Sequence, residues 1–138
     1  MSEIGHLAFI DSGVLIAAAR GVEPVADRAL AVLGNSALRF ASSPLVRLEV
    51  LPKALYFDRT AEANFYGAFF ERVEVWAPLD ATIISRAFDE AVRHGLSAVD
   101  ALLLVSALSV GAEYLVTTEA KSKPIHRTEL VKVVSLAQ

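Results

Sequence analysis

Four acidic residues lie in segments that are otherwise largely apolar: Asp11 in LAFIDSGVLI, Glu49 in LVRLEVL, Asp100 in LSAVDALLLV and Glu119 in YLVTTEA. A carboxylate in dry surroundings shifts its pKa, pairs with a cation or coordinates a metal ion. The four acids are far apart in the chain, so only a folded structure could bring them together. The pattern indicates a metal site assembled from carboxylate oxygens.

Two of these acids also have ordinary structural interpretations. Asp11 suits a turn or the cap of the following helix, and Glu49 is spaced to pair with Lys53 one helical turn later. The segment around Asp11 also suits a phosphatase of the haloacid dehalogenase type. That chemistry requires a second Asp two residues later, where this chain has Gly13, so it is set aside.

The other two acids have structural alternatives as well. The spacing of Ser97 and Asp100 matches a helix capping box, a role compatible with metal binding close to a helix N-terminus. Glu119 suits a first-turn helix acid or a partner of Lys123. The metal-site hypothesis therefore depends on the four acids as a set.

Other polar residues carry weaker signals. Asp80 is interpreted as an N-cap, Asp89-Glu90 as a solvated face, and His94 as a helix C-terminal residue that suits the dipole. His6 and His126 share no metal-ligand spacing with His94. The chain contains no cysteine, no glycine-rich phosphate loop and no nucleophile elbow, which leaves metal-assisted hydrolysis as the main catalytic option.

Alternating short apolar runs and helical periodicities define the elements that must position these acids. Strands are predicted at Leu7–Ile10, Leu38–Ala41, Val73–Ala77, Tyr114–Thr117 and Val131–Val134. Six helices are predicted, and their starts are, in chain order, Ser12 as a cap, Pro24 in the first turn, Ser43 as a cap, Asp58 or Thr60, Asp80 as a cap and Ser97 as a cap. Pro52 is predicted to kink or interrupt the third helix. On the second helix, Val25, Ala29, Leu30 and Leu33 repeat at helical spacing and are expected on a buried face, and on the fifth, Ile83, Ile84 and Ala87 are expected inside.

This order of elements predicts an α/β sandwich with a mainly parallel central sheet, in a single domain over residues 1–138. Asp11 then follows the first strand, and Glu119 lies just beyond the strand Tyr114–Thr117. Open α/β sheets bind ligands at the carboxyl ends of their strands. Glu49 and Asp100 are placed on helices that can face the same edge.

Composition limits the setting in which such a site would work. Hydrophobic residues make up 54% of the chain, and this excess favours a further buried face, as in a homodimer or a complex with a partner.

The longest nearly apolar stretch, Ala101–Ala112, is about half of the roughly 20 residues that a membrane span needs. The N-terminus MSEIGHLAF lacks the features of a secretory signal, so a cytoplasmic location is expected. A net charge of −3 gives no support to nucleic-acid binding by bulk electrostatics.

Taken in order, the segments resemble the PIN domain family, and in particular the compact VapC type of bacterial toxin. The resemblance rests on FIDSGVLIA, SPLVRLEVL, GLSAVDALLLVSAL and GAEYLVTTE, and WAPLDATIISRA is similar to the family's passage from strand to helix. These segments span nearly the whole chain. The ordered set is much more specific than any one of them.

The resemblance implies a Mg²⁺- or Mn²⁺-dependent ribonuclease that acts as the toxin of a type II toxin–antitoxin pair, with a small antitoxin as partner. Asp11, Glu49, Asp100 and Glu119 would hold the metal, and Ser12 and Thr117 would orient the carboxylates. Oxygen ligands and retained waters suit these hard cations. Two alternatives stay open: a PIN-fold interaction module with weak metal binding, and a PIN-type nuclease without a toxin role, for which DNA is a possible substrate.

The chain departs from the family pattern at one acid. The family more often has Asp where this chain has Glu119, commonly with a further polar or acidic residue and an aromatic nearby, whereas here the run is TTEAKSKPIHR. This departure puts a second metal position in question. Lys121, Lys123 and Arg127 are candidates for gripping RNA phosphates beside the site, and a solvated basic loop is the alternative.

Overall fold

Five parallel strands form the central sheet of the described part of the chain. The computed structural model describes residues 5–137; residues 1–4, part of the segment that lacks secretory signal features, and residue 138 lie outside it. The strands are β1 His6–Ile10, β2 Leu38–Ser42, β3 Val73–Trp76, β4 Tyr114–Thr117 and β5 Lys132–Ser135. They lie in the order β3-β2-β1-β4-β5, and each neighbouring pair is parallel. The predicted α/β class is confirmed, and the described sheet is entirely parallel.

The helices are α1 Ser12–Arg20, α2 Val25–Leu33, α3 Pro44–Tyr56, α4 Thr60–Arg72, α5 Ala81–His94 and α6 Ala98–Ser109, with a short 3-10 helix at Pro124–Arg127. Helices α1 to α4 pack against one another, while α5, α6 and the 3-10 helix pack together. Because parallel crossovers are right-handed, the reversal of direction between β3 and β4 places these two groups on opposite faces of the sheet. The central strands are therefore covered on both sides.

Burial on both faces of the sheet explains why the sequences of the central strands are continuous apolar runs. Ala8, Phe9 and Ile10 of β1 are fully buried, as is Leu115 of β4. Strands buried on both faces carry apolar side chains in both directions instead of alternating with polar ones. This run ends abruptly at Asp11, which marks where β1 reaches the edge of the sheet.

Several details differ from the sequence prediction. Asp11, not Ser12, holds the N-cap position of α1, and Pro52 lies inside α3, which continues to Tyr56. Leu30 is 47% exposed and Ile84 is 55% exposed, so their prediction as buried residues was wrong. Ile83 and Ala87 are buried as predicted, and Glu90 in place of Ile84 completes the buried face of α5.

Glu90 contradicts the interpretation of Asp89-Glu90 as a solvated face. Its side chain points inward and the residue is only 4% exposed, whereas Asp89 faces solvent. Within residues 5–137, no single helix is long and apolar enough to cross a membrane; α5 and α6 satisfy the length and composition criteria only as a pair bent by 118°.

Candidate active site

The strand order creates a crevice between β1 and β4. The chain leaves β1 toward β2 on one side and leaves β4 toward β5 on the other, so the connections diverge at this point. Open α/β sheets bind ligands at such a switch point, outside the carboxyl ends of the strands. Ile10 and Val116 are paired in register, which brings the residues that follow them to the same edge.

Asp11 is the central acid of this crevice. It is 7% exposed, and its backbone N–H donates to the carbonyl of Val116 at 2.9 Å. Thr117 Oγ1 donates to Asp11 Oδ2 at 2.8 Å, and Ser12 Oγ donates to Asp11 Oδ1 at 3.2 Å. The side chain makes no capping bond to α1. The carboxylate is therefore held by two hydroxyl groups and is not used as a helix cap.

Glu49 reaches the site from α3, on the face of the sheet covered by α1 to α4. The residue is half-buried, and its Oε1 is buried without a hydrogen-bond partner. The ion pairs within residues 5–137 do not include one between Glu49 and Lys53, whose side chain is exposed. A buried carboxylate oxygen without a partner costs free energy, and it is an open ligand position.

Asp100 reaches the site from α6, on the opposite face. Its backbone N–H donates to Ser97 Oγ at 3.2 Å, which confirms Ser97 as the helix cap. Asp100 lies in the first turn of the helix, where the helix dipole stabilises a negative charge. The cap bond is made by the backbone N–H of Asp100, and the Ser97 side chain also interacts with the Asp100 carboxylate and lowers its pKa.

Glu119 lies in the loop that follows β4 and is half-buried. Its backbone N–H donates to Thr117 Oγ1 at 3.1 Å, and that hydroxyl in turn donates to Asp11. Its carbonyl accepts from Ser135 Oγ at 2.7 Å and from His126 Nε2 at 3.0 Å. The backbone of Glu119 is thus fixed on both sides and linked through Thr117 to the central acid.

The electrostatics show that the acids act on one another. Burial raises the pKa of Asp11 above its ordinary value of 3.8, the hydroxyls of Thr117 and Ser12 lower it, and the charge of Glu119 raises it further. Burial also raises the pKa of Glu49; the Ser12 hydroxyl opposes this, and the charges of Asp11 and Asp100 add to it. The site accumulates negative charge that its hydroxyl donors offset only in part.

Asp100 completes this pattern. Burial is the largest cause of its raised pKa, and the charges of Asp11 and Glu119 raise it further. A side-chain hydrogen bond with Ser97 lowers it. Each of the four acids predicted from the sequence is therefore close enough to at least one other for their charges to interact. A bound cation would relieve this repulsion directly.

The donor set fits a hard divalent cation. Carboxylate and hydroxyl oxygens are the ligands that Mg²⁺ and Mn²⁺ prefer, and Mg²⁺ commonly retains several waters while using few direct protein bonds. The unpartnered Glu49 Oε1 is an available donor. As positioned, no three His, Asp or Glu side chains in residues 5–137 form a ready-made metal cluster. A cation at this site would therefore be held through bridging waters or after movement of the side chains.

The three predicted basic residues differ in their surroundings. Lys121 and Lys123 are exposed in the loop after Glu119. Arg127 is also exposed, but its Nη1 donates to the carbonyl of His94 at 3.1 Å, at the C-terminus of α5. Arg127 therefore makes an intramolecular contact that the sequence did not indicate.

Sequence reasoning also missed residues that shape the site. A Cβ at Gly13 would lie 2.5 Å from Thr118 Oγ1, so the start of α1 approaches this hydroxyl too closely for any other residue without a shift. His126 and Ser135 hold the carbonyl of Glu119. The absence of a side chain at Gly13 was a usable signal, whereas the two contacts to the carbonyl had no local signature.

Comparisons with known proteins agree with this geometry. The family model of the PIN domain matches residues 8–125, and the chain therefore belongs to the PIN domain family. No curated protein sequence gives a significant match.

Solved structures give the same fold at low sequence identity. A toxin–antitoxin complex from Klebsiella pneumoniae has a TM-score of 0.71 and 19% identity, over 95% of this chain and 98% of that one. VapBC2 from Rickettsia felis, bound to a DNA fragment from its promoter, has a TM-score of 0.67 and 16% identity, over 92% and 96%. VapC20 from Mycobacterium tuberculosis, a sarcin–ricin loop cleaving toxin, has a TM-score of 0.60 and 18% identity, over 91% and 98%. The fold is thus that of VapC-type PIN domains.

Proposed function

We propose that the chain is a metal-dependent endoribonuclease that acts as the toxin of a type II toxin–antitoxin pair. The observation that carries this proposal is the placement of Asp11, Glu49, Asp100 and Glu119 around the switch point of the sheet, where burial, and then the charges of neighbouring acids, raise the pKa values of Asp11, Glu49 and Asp100. Membership of the PIN family and likeness to VapC toxins support the nuclease activity.

Asp11, Glu49, Asp100 and Glu119 would hold Mg²⁺ or Mn²⁺. Such an ion would lower the pKa of a bound water and neutralise part of the negative charge on the phosphate. Thr117 and Ser12 hold the Asp11 carboxylate in one orientation, which keeps it from rotating away from the crevice. A bound cation would give the unpartnered oxygen of Glu49 a favourable contact.

The exposed side chains of Lys121 and Lys123 are suited to contact RNA phosphates beside the acids. Such contacts supply affinity that does not depend on base sequence and that falls as the salt concentration rises. The preference for RNA over DNA rests on likeness to a toxin that cleaves the sarcin–ricin loop.

A cleavage assay on mixed RNA and on single-stranded DNA tests the proposal, with Mg²⁺ or Mn²⁺ and with excess chelator. RNA products should require the metal, and Asp100→Asn should abolish them while the circular dichroism spectrum is retained. Full cleavage by Asp100→Asn, or in chelator, would contradict the proposal. Cleavage of DNA alone would support the alternative of a PIN-type nuclease acting on DNA.

A second candidate is a PIN-fold interaction module that binds metal too weakly for turnover. It is favoured by the lack of a ready-made three-residue metal cluster in the described residues, and by Glu119 in place of the more usual Asp. Titration calorimetry with Mn²⁺ separates the candidates. Heat of binding accompanied by RNA products supports the nuclease, and the absence of both supports the module.

The proposed partner is a small antitoxin, because the similar structures include toxin–antitoxin complexes. A neighbouring reading frame that encodes a DNA-binding fold with a disordered tail is expected. Co-expression of that product should suppress RNA cleavage and should co-purify with the chain. Unchanged cleavage with the neighbouring product would favour a nuclease without a toxin role.

A homodimer is also proposed, because α5 exposes an apolar stripe formed by Ile84, Phe88 and Val92. These residues are four apart and lie on one side of the helix, beside an apolar groove of about 290 Å³ between α5 and α6. Phe88→Glu should convert a dimer to a monomer in sedimentation experiments. Arg86→Glu alters an exposed residue of the same helix outside the stripe and should leave the dimer intact.

A further inference from the structure

The 3-10 helix Pro124–Arg127 connects two of the segments that carry acids. Its second residue, Ile125, is fully buried, so the element is anchored in the core. The next two residues point to different parts of the chain: His126 contacts Glu119, and Arg127 contacts His94. One short element thus contacts the loop after β4 and the end of α5.

The contact with Glu119 fixes the backbone of an acid that lies outside the strands. The acceptor is a carbonyl oxygen, so His126 Nε2 must carry the proton in this 3.0 Å hydrogen bond. Ser135 Oγ donates to the same carbonyl at 2.7 Å. The loop after β4 has no ladder bonds of its own at this position, and these two donors take their place.

The contact with His94 fixes the connection that leads to Asp100. His94 is the last residue of α5, and Gly95 follows in the left-handed conformation with φ 68°. Carbonyls in the last turn of a helix lack intrahelical partners, and a cation there is favoured by the helix dipole. Arg127 supplies both the donor and the charge at His94, which lies three residues before the cap Ser97 and six before Asp100.

We propose that His126 and Arg127 are positioning residues that set the separation between Glu119 and Asp100. The charges of these two acids act on each other, so their separation affects the electrostatics of the site. The proposal rests on the metal-dependent function above. It assigns Arg127 to the assembly of the acidic site and leaves Lys121 and Lys123 as the phosphate-binding candidates of this loop.

The test measures Mn²⁺ affinity of the full-length chain by titration calorimetry, and RNA affinity by fluorescence anisotropy. Arg127→Met and His126→Leu remove the two donors and should each weaken Mn²⁺ binding by about 10-fold, the lower end of the effect of groups that orient metal ligands. Arg127→Lys and His126→Gln retain a donor at a similar position and should restore most of the affinity. Thermal unfolding of each metal-free variant checks that the fold is intact.

Matched controls separate positioning from charge. Lys121→Met and Lys123→Met each remove one positive charge in the same loop, and they should weaken RNA binding in a salt-dependent way while leaving Mn²⁺ affinity unchanged. If Arg127→Met behaves like these controls, Arg127 is a nucleic-acid contact and the proposal is overturned. Should Arg127→Met not fold, Arg127→Gln removes the charge and keeps a donor; it should leave RNA affinity unchanged, and a salt-dependent loss of RNA affinity like that of Lys121→Met would overturn the proposal.

A double-mutant cycle links His126 to Glu119. In a Glu119→Gln background, His126→Leu should cause no further loss of Mn²⁺ affinity, because it acts through Glu119. Additive losses would show that His126 acts elsewhere. If the wild-type chain binds no Mn²⁺, both the proposed function and this inference are contradicted. If Mn²⁺ binds and its affinity is unchanged in Arg127→Met and His126→Leu, only this inference is contradicted.

Discussion

Asp11 and Glu90 are both buried acids, but their surroundings are opposite. Asp11 has hydroxyl donors on both oxygens and the charge of Glu119 nearby. Glu90 has Arg93 Nη1 at 3.5 Å from Oε2 and His94 Nε2 at 3.7 Å from Oε1, and this Oε1 has no hydrogen-bond partner. Burial of an acid therefore does not by itself mark a functional site.

The sign of the neighbouring charges distinguishes the two positions. Around Asp11 the fold gathers further acids, an arrangement that is costly until a cation binds. Around Glu90 it places basic side chains one helical turn away, as in an ordinary structural ion pair. Accumulated like charge is the stronger evidence for a metal site.

The largest expected difference between the two acids is in cleavage. Asp11→Asn should reduce RNA cleavage by at least about 100-fold, since removing a ligand should cost at least as much as removing the groups that orient one. Glu90→Gln makes the same chemical change at a buried acid outside the crevice and should retain activity. Initial rates under saturating Mg²⁺ provide the measurement, and equal losses in both variants would remove the distinction.

Metal should stabilise the fold through Asp11 and not through Glu90. At a metal concentration 100 times the dissociation constant, binding to the native state alone adds about 2.7 kcal/mol to the free energy of unfolding. Urea unfolding with and without Mn²⁺ should show this gain for the wild type and for Glu90→Gln. Asp11→Asn should lose most of it, and a full gain in that variant would place the metal elsewhere.

The pH dependence of the metal-free protein should expose the repulsion among the acids. The pKa values of Asp11, Glu49 and Asp100 are raised by folding, so their contribution to stability is fully present below the ordinary carboxyl range and is lost as the pH rises through the raised values. Asp11→Asn should therefore gain stability relative to the wild type between acid and neutral pH.

Urea unfolding at pH 4 and at pH 7.5 without metal measures this gain. Asp89→Asn makes the same change of charge at an exposed acid of α5 and serves as the control. If the advantage of Asp11→Asn is the same at both pH values, the raised pKa of Asp11 makes no net contribution to stability.

The smallest expected effect is on the ion pairs of Glu90. Arg93 is largely exposed, and pairs of this kind typically contribute only about 0–1 kcal/mol. Arg93→Met should therefore change the free energy of unfolding little at neutral pH and leave Mn²⁺ affinity unchanged. A loss of Mn²⁺ affinity would show that Glu90 and the acidic crevice are coupled.

The sequence predicted the framework of the site because its signals are local. The apolar runs of β1 and β4 are long enough to identify as strands, and the acids that follow them necessarily lie at their carboxyl ends. The caps Ser43, Asp80 and Ser97 were predicted correctly, since each side chain accepts a hydrogen bond from a backbone N–H two or three residues later. These features depend on neighbouring residues alone.

The helix faces were harder to predict, since periodicity gives a face only to within about one residue. Ile83 and Ala87 were correctly expected inside, but Ile84 was also expected inside and Glu90 outside, whereas the buried face of α5 follows Ile83, Ala87 and Glu90 at helical spacing. The apolar character of Ile84 and the charge of Glu90 misled the assignment. Packing of α5 against α6, which the sequence does not specify, determines which of the neighbouring faces is buried.

The contacts made by loop residues could not be predicted from the sequence, for another reason. His126, Ser135 and Arg127 act on backbone carbonyls, and a carbonyl has no residue type that could be identified in advance. The interpretation of Arg127 as an RNA contact followed from its charge alone. Its bond to the end of α5 depends on where the 3-10 helix lies.

The late position of β4 in the sequence, beside the first strand in the sheet, has a consequence for the order in which the molecule is made. Asp11 is synthesised early, but Thr117, whose hydroxyl holds it, and Glu119 emerge only after six helices have been made. Chains begin to fold from the N-terminus during synthesis. A nascent chain that ends within α6 therefore has an unsupported Asp11 and an incomplete crevice, so the proposed toxin is inert on the ribosome until its fourth strand has been inserted.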